Sequence, residues 1–366
     1  MVVPFMTMYM TQHLGVGIGR AGFVMSLFGT GAVIGALMGG RLTDKIGYYY
    51  VQLFTLLGGG AMFIVLGQMR SYVAICIATF LLSMINEAFR PANAVAIAHF
   101  SKSENRTRSY SLNRLAVNLG WAFGSAVGGI IATYNYELLF WVDGITNIVA
   151  AILLYLVLAP TKTNVTETKK DPIPATINSA YHDKTYLLFI VITIVFAICF
   201  FQQFTTLPVY YKTELHLSEF FIGMNMAFNG LLIAFFEMII VFKLEGRRSP
   251  VHYMALGVFL MGFSYLILNM PFAGAAFIAV VSMFFATIGE IVSLPFMNTY
   301  WIARTNNENR GQYAALYTVA WCSAQAIGPF VGAQVAEHYG YDVLWWSAGV
   351  ISILTVGGYW LLQKRG

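Results

Sequence analysis

The chain has 366 residues, 58% of them hydrophobic and only 10% charged, and its mean hydropathy is +0.68. A soluble domain carries about 25% charged residues, and a fold in water could not hide this much apolar surface, so a soluble protein is excluded. The formal net charge of +5 is spread over the ends of apolar runs rather than gathered in one patch, which argues against a nucleic-acid partner.

Roughly 20 apolar residues cross a bilayer as a helix. Gly, Pro and charge clusters divide the chain into a short first span from Met1 to about Leu14, then spans near 22–42, 50–69, 73–99, 111–133 and 139–159. A polar stretch over 161–184 follows, with Lys162, Glu167, Lys169, Lys170, Asp171 and two prolines, and reads as a linker or surface helix. Six further spans lie near 186–211, 219–242, 252–270, 274–303, 312–336 and 341–362. The expected organisation is an N-terminal six-helix bundle over 1–160, a cytoplasmic linker over 161–184 and a C-terminal six-helix bundle over 185–366.

Charge sets the orientation, because Lys and Arg concentrate in cytoplasmic loops. Only Arg20, Arg70 and Lys212 fall on one side, Arg90 lies inside a span, and every other Lys and Arg falls on the opposite side. Both termini and the linker are therefore expected in the cytoplasm, with the chain multi-pass in the cell membrane. Met1 to Met10 lack the basic n-region of a cleavable signal. Cys76, Cys199 and Cys322 sit in apolar runs, so no disulfide framework is expected, and no metal-ligand spacing or cofactor motif is found.

The halves resemble each other at an offset of about 204 residues. Glu104-Asn105-Arg106 returns as Glu308-Asn309-Arg310, Pro91 as Pro295, Gly124 as Gly328, Gly128 as Gly332 and Trp141 as Trp345. Two six-span units of equal orientation form parallel repeats, an arrangement found in secondary transporters. Against the second half, where apolar residues run from Tyr186 to Thr206 before Tyr211-x-Thr213, the first half has only Met1 to Met8 before Tyr9-x-Thr11, so the first helix is expected to be cut short.

Between spans two and three stands Gly39-Gly40-Arg41-Leu42-Thr43-Asp44-Lys45-Ile46-Gly47. Gly40, Asp44, Lys45 and Gly47 resemble the loop signature of the major facilitator superfamily, with Tyr48 and Tyr49 where that family usually has basic residues. The resemblance covers essentially the whole chain. It implies an all-α membrane protein of the major facilitator fold, built as two six-helix bundles. It also implies that Asp44 contacts the start of the eleventh helix near Gly311 when the cytoplasmic side is closed. In span five, Gly120, Gly124, Gly128 and Gly129 resemble the glycine-rich motif of the family's antiporters, with Ser125 in place of the usual proline. The second-half copy, Gly328-Pro329 and Gly332, keeps the proline. Small residues at such spacing let helices pack closely and bend.

Charge inside a bilayer costs roughly 2.5–3.5 kcal/mol on insertion scales, so such residues mark a cavity or a partner. Glu87, Arg90, Glu237 and Glu290 lie deep in spans. Glu87 and Arg90 are one turn apart and share a face, with Asn86 beside them. The resemblance places Glu87 and Glu290 on opposite walls of a central cavity, as sites for a proton or a cationic substrate, with Arg90 as charge partner. Glu237 is expected to serve structure or gating. Asn118 and Asn229 are further cavity candidates, while Gln202, Gln203, Asn225 and Asn298 are expected to be interhelical glue. Phe89, Trp121, Phe200, Phe201, Phe204 and Trp321 are candidates for an apolar pocket wall.

The expected function is secondary transport by alternating access, as proton-coupled export of small amphipathic or lipophilic compounds. Its partners would be a small-molecule substrate, protons and membrane lipid, and it would act as a monomer. Proton-coupled import of a sugar or peptide is the first alternative. A non-transporting scaffold or a lipid-processing enzyme is the second, and no nucleophile, metal or phosphate-loop motif supports an enzyme.

Overall fold

The computed structural model describes residues 2–101, 106–158, 180–270, 274–305 and 310–365. Most of the linker, the Glu104-Asn105 and Glu308-Asn309 repeat pair and part of the basic loops therefore lie outside the described residues.

Without water in the hydrocarbon core, backbone groups must be satisfied within the segment, and a helix does this. Eleven helices among the described residues are long and apolar enough to cross a membrane. A shorter unit precedes them, α1 (Val2–Met8) running into a π-helical turn at Tyr9–His13. The first half continues with α2 (Ile18–Ile46), α3 (Tyr48–Gln68), α4 (Tyr72–Glu87), α5 (Phe89–Phe100), α6 (Arg106–Tyr134) and α7 (Glu137–Val157). The second has α8 (Lys184–Phe200), α9 (Gln202–Thr213), α10 (Glu219–Leu244), α11 (Pro250–Leu268), α12 (Ala275–Ala303), α13 (Arg310–Tyr339) and α14 (Tyr341–Arg365).

Two expected spans are each broken in the middle. The fourth divides into α4 and α5 at Ala88, and the seventh into α8 and α9 at Phe201. At the second break Gln202 acts as a staple: its Nε2 donates to the carbonyls of Ile198 (2.9 Å) and Gly328 (2.8 Å), and its Oε1 accepts from Thr206 (2.9 Å).

Apolar burial cannot drive helix association in lipid, so close backbone packing does. Helix α2 shows how. Gly31, Gly35 and Gly39 press on the backbone of Phe80, Met84 and Ala88, fixing α2 against α4 and the α4–α5 break. Gly22 and Gly29 lie on another face, against Pro329, Ala333 and Gln325 of α13, where the Ser26 hydroxyl also donates to the Ala326 carbonyl. Gly47 ends α2 with φ of 86°, a conformation that a side chain would strain, and its N–H closes on the Thr43 carbonyl.

Corresponding helices pair in the two halves: α2 with α4 and α10 with α12, α3 with α7 and α11 with α14. The halves meet along three seams, α1–α9, α2–α13 and α6–α10. On the α6–α10 seam, Gly129 and Gly223 lie backbone to backbone, and Gly230 meets the Asn118 carbonyl and Ala122.

Candidate functional site

A cavity of about 390 Å³ lies between the halves, within the size range of small-molecule pockets. Helices from both halves supply its polar and aromatic lining. The α4–α5 break places Glu87 and Arg90 on one wall, and mid-α12 places Glu290 on another. Asn118 and Trp121 come from α6, Asn229 from α10, Phe204 and Thr205 from α9, and Gln325 and Pro329 from α13.

Glu87 and Arg90 pair at 2.8 Å (Oε2 to Nε), with side chains 17% and 77% exposed. The carboxylate is tucked inward and the guanidinium stands in the mouth. Glu290 Oε2 accepts from Asn229 Nδ2 at 3.4 Å, and the same amide donates to Thr287 Oγ1 at 2.9 Å. Gln203, 2% exposed, has its side-chain amide beside Glu290. Opposite these polar groups is an aromatic wall. Trp121 meets Phe204 edge-on at 5.3 Å, backed by Phe200 against Phe204 at 5.4 Å and Trp321 against Phe201 at 6.1 Å.

The two ends of the cavity differ. At the end bearing Tyr136 the halves are locked. The Tyr136 hydroxyl donates to Glu219 Oε1 at 3.0 Å, the same oxygen takes Lys212 at 2.8 Å, and Gly22 packs on Pro329 and Ala333. Burial first, then the neighbouring Glu219 charge, push the Tyr136 phenol well above its ordinary range, so it stays a donor. At the end bearing Asp44 no comparable close crossing of α2 with α13 is found among the described residues. A Cβ on Gly40 would meet nothing within 4 Å, and Leu37, Met38 and Val319 are exposed. The α6–α10 seam instead stays closed there through Arg114 and Glu237, which pair at 2.7 Å.

The structure thus brings Glu87, Arg90, Glu290, Asn118 and Asn229 to one cavity. Asn86 is not there. One position before Glu87 on the helix it turns to α3, where its side-chain oxygen lies against Gly59. Of the apolar-wall candidates, Trp121, Phe201 and Phe204 line the cavity, Phe200 and Trp321 stand behind them, and Phe89 is not among the lining residues. Asp44 is exposed and makes no hydrogen bond among the described residues, and Lys45 is exposed beside it.

The α6 glycines divide. Gly129 makes the seam and Gly128 is buried, Gly124 is half-buried, and Gly120 faces open space. The residues that press on α10 are Asn118, Ala122, Ser125 and Gly129, a face offset from the expected motif. Gly328 and Gly332 pack on α8 and α9 around Gln202, and Pro329 lines the cavity. Sequence reasoning missed Arg114, which it assigned to a loop. The signal was present: Glu237, deep in a span, needed a cation within reach. It also missed Asp143, which accepts from the Val2 N–H at 2.7 Å.

A family model for the Major Facilitator Superfamily matches residues 1–329 and 246–366. Among curated proteins, the chain is 24% identical to the uncharacterized MFS-type transporter YttB of Bacillus subtilis, covering 99% of this chain and 90% of that protein. It is 21% identical to a Na(+), Li(+), K(+)/H(+) antiporter of Planococcus maritimus, covering 97% and 90%. It is 19% identical to the quinolone resistance protein NorA of Staphylococcus aureus, covering 96% and 89%. Among solved structures, the nucleoside transporter NupG superposes with a TM-score of 0.85 at 13% identity, covering 99% of this chain and 95% of that one. A peptide transporter, POT, in complex with sulfate superposes with a TM-score of 0.82 at 16% identity, covering 99% and 90%. These two show the fold alone.

Proposed function

Since the chain belongs to the major facilitator superfamily, we propose that it is a secondary transporter that exports small amphipathic or lipophilic compounds in exchange for protons. The observation that carries this reading is the joint placement of Glu87 and Glu290 on one cavity between the halves, facing an aromatic wall. An apolar body rests on Trp121 and Phe204, and the carboxylates take a proton or a cationic group. Each carboxylate is partly desolvated yet reaches the cavity, the condition under which a group binds a proton on one side of a membrane and releases it on the other.

Access alternates as two six-helix bundles, 1–160 and 185–366, move about this site. The Asp44 end, where basic residues concentrate, is cytoplasmic, so this conformation opens inward. The protein acts as a monomer in the cell membrane. Two of the named relatives, a Na(+), Li(+), K(+)/H(+) antiporter and a quinolone resistance protein, support this reading.

The test is transport in proteoliposomes of a panel of lipophilic cations, sugars and peptides, with and without an imposed pH gradient. The reading requires a lipophilic cation moved against its gradient by a proton gradient, with coupling lost in Glu290→Gln or Glu87→Gln while the protein still inserts. Uphill sugar or peptide uptake driven by inward protons would replace export by import. Coupling unchanged in both single variants and the double variant would remove these carboxylates from the mechanism.

A further inference from the structure

Glu237 and Arg114 do not line the cavity, yet they sit beside it on the α6–α10 seam. Glu237 lies two turns beyond Asn229 on α10, and Asn229 holds Glu290. Arg114 lies one turn before Asn118 on α6, and Asn118 lines the cavity. The Glu237 side chain is 8% exposed, and both of its oxygens lie 2.7 Å from one Arg114 nitrogen. No other hydrogen bond of Arg114 is found among the described residues, and its side chain is 49% exposed. Glu237 and Arg114 both lie within electrostatic reach of Glu290. Among the described residues the other groups around Glu290 are the Tyr265 phenol of α11, the neutral amides of Asn229 and Gln203, and the Glu87–Arg90 pair across the cavity.

We propose that Arg114 and Glu237 are positioning residues for proton coupling: they set the charge field in which Glu290 gains and loses its proton. This rests on the reading of Glu290 as a proton site. Two carboxylates and one guanidinium share this corner. Glu237 repels a charge on Glu290, and Arg114 attracts it. The effect is reciprocal, because a proton on Glu290 removes a like charge facing Glu237 and leaves Arg114 wholly to its partner. Loading the site thereby tightens the seam that joins the halves.

The sign of the two effects supplies the test, and the proton itself is the probe. Infrared difference spectra of the purified protein in nanodiscs, titrated in pH, isolate the Glu290 carboxyl band by comparison with Glu290→Gln. In Glu237→Gln the titration midpoint moves down, and in Arg114→Gln it moves up, each by about one pH unit. Arg114→Lys keeps the charge and leaves the midpoint near that of the unmodified protein, and the double variant falls between the single ones.

A purely structural ion pair would shift neither midpoint, or would shift both in one direction by loosening the seam, and either result overturns the proposal. Should Arg114→Gln fail to fold, the downward shift in Glu237→Gln decides alone. If no Glu290 band titrates in the unmodified protein, the reading of Glu290 as a proton site fails first and the proposal falls with it. A titrating band unmoved by either variant sinks the proposal and spares that reading.

Discussion

Tyr136 joins the halves at one end of the bundle by donating its hydroxyl to Glu219 Oε1 at 3.0 Å, on an oxygen that Lys212 also holds at 2.8 Å. Opening that end requires this bond to break. A hydrogen bond to a charged group contributes about 1.5–3 kcal/mol, so Tyr136→Phe is expected to shift the conformational balance toward opening at that end by about ten-fold or more. A cysteine at Ala132, buried near that end of α6, in a background otherwise free of cysteines reports this. Its labelling by a membrane-impermeant maleimide should accelerate when Tyr136→Phe is added. An unchanged rate would mean that the Gly22 and Gly129 crossings alone hold the end shut.

Those crossings make the second expectation. A side chain on Gly22 would collide with Ala333 and with the Pro329 carbonyl, which is backbone and cannot move aside. Gly22→Val is expected to cut both folded yield and transport severely. Gly120→Ala meets open space and is expected to stay within about 0.5 kcal/mol of the original stability. Thermal unfolding in detergent separates the two, and equal losses would contradict the packing described.

A third expectation concerns Asp183, which caps α8 through the N–H groups of Thr185 and Tyr186 and binds Arg304 and Tyr313. Partial burial raises its carboxyl, but the Tyr186 N–H, the Tyr313 hydroxyl and the Arg304 guanidinium outweigh this and hold it below the usual range. A group depressed on folding stabilises the protein above its unfolded value of about 3.9 and loses that contribution as pH falls through the lower native value. Asp183→Asn should therefore melt a few degrees lower at neutral pH, with the gap closing below about pH 4. A gap independent of pH would assign the loss to packing instead.

Asp44 gives the fourth. It is exposed and makes no hydrogen bond among the described residues, so Asp44→Asn should leave thermal stability within about 0.5 kcal/mol. Turnover should nevertheless fall several-fold, because the carboxylate is expected to act when the α2–α13 seam closes. Turnover at the original rate would confine the loop motif to a structural turn.

Much of this was legible in the chain. Runs of about 20 apolar residues set the helices, and charge at mid-span picked out Glu87 and Glu290 before any geometry. What the sequence hid depends on rotation about a helix axis. Asn86 and Glu87 are neighbours in the chain, yet one faces α3 and the other the cavity. Gly31, Gly35 and Gly39 share one helix face by their four-residue spacing, but that this face meets the backbone of Phe80, Met84 and Ala88 is visible only in the fold. Arg114 was counted with the loops because hydropathy averages over a window, whereas its role depends on a single carboxylate across the seam.

The α6–α10 seam is shut from Tyr136 to Arg114, whereas the close glycine crossings of α2 on α13 lie at Gly22 and Gly29. Evolutionary drift should therefore be lopsided. A bulkier residue at Gly40 meets open space in this conformation, while enlargement at Gly39 would strike Ala88 and enlargement at Ala122, Ser125 or Gly223 is penalised along the α6–α10 joint.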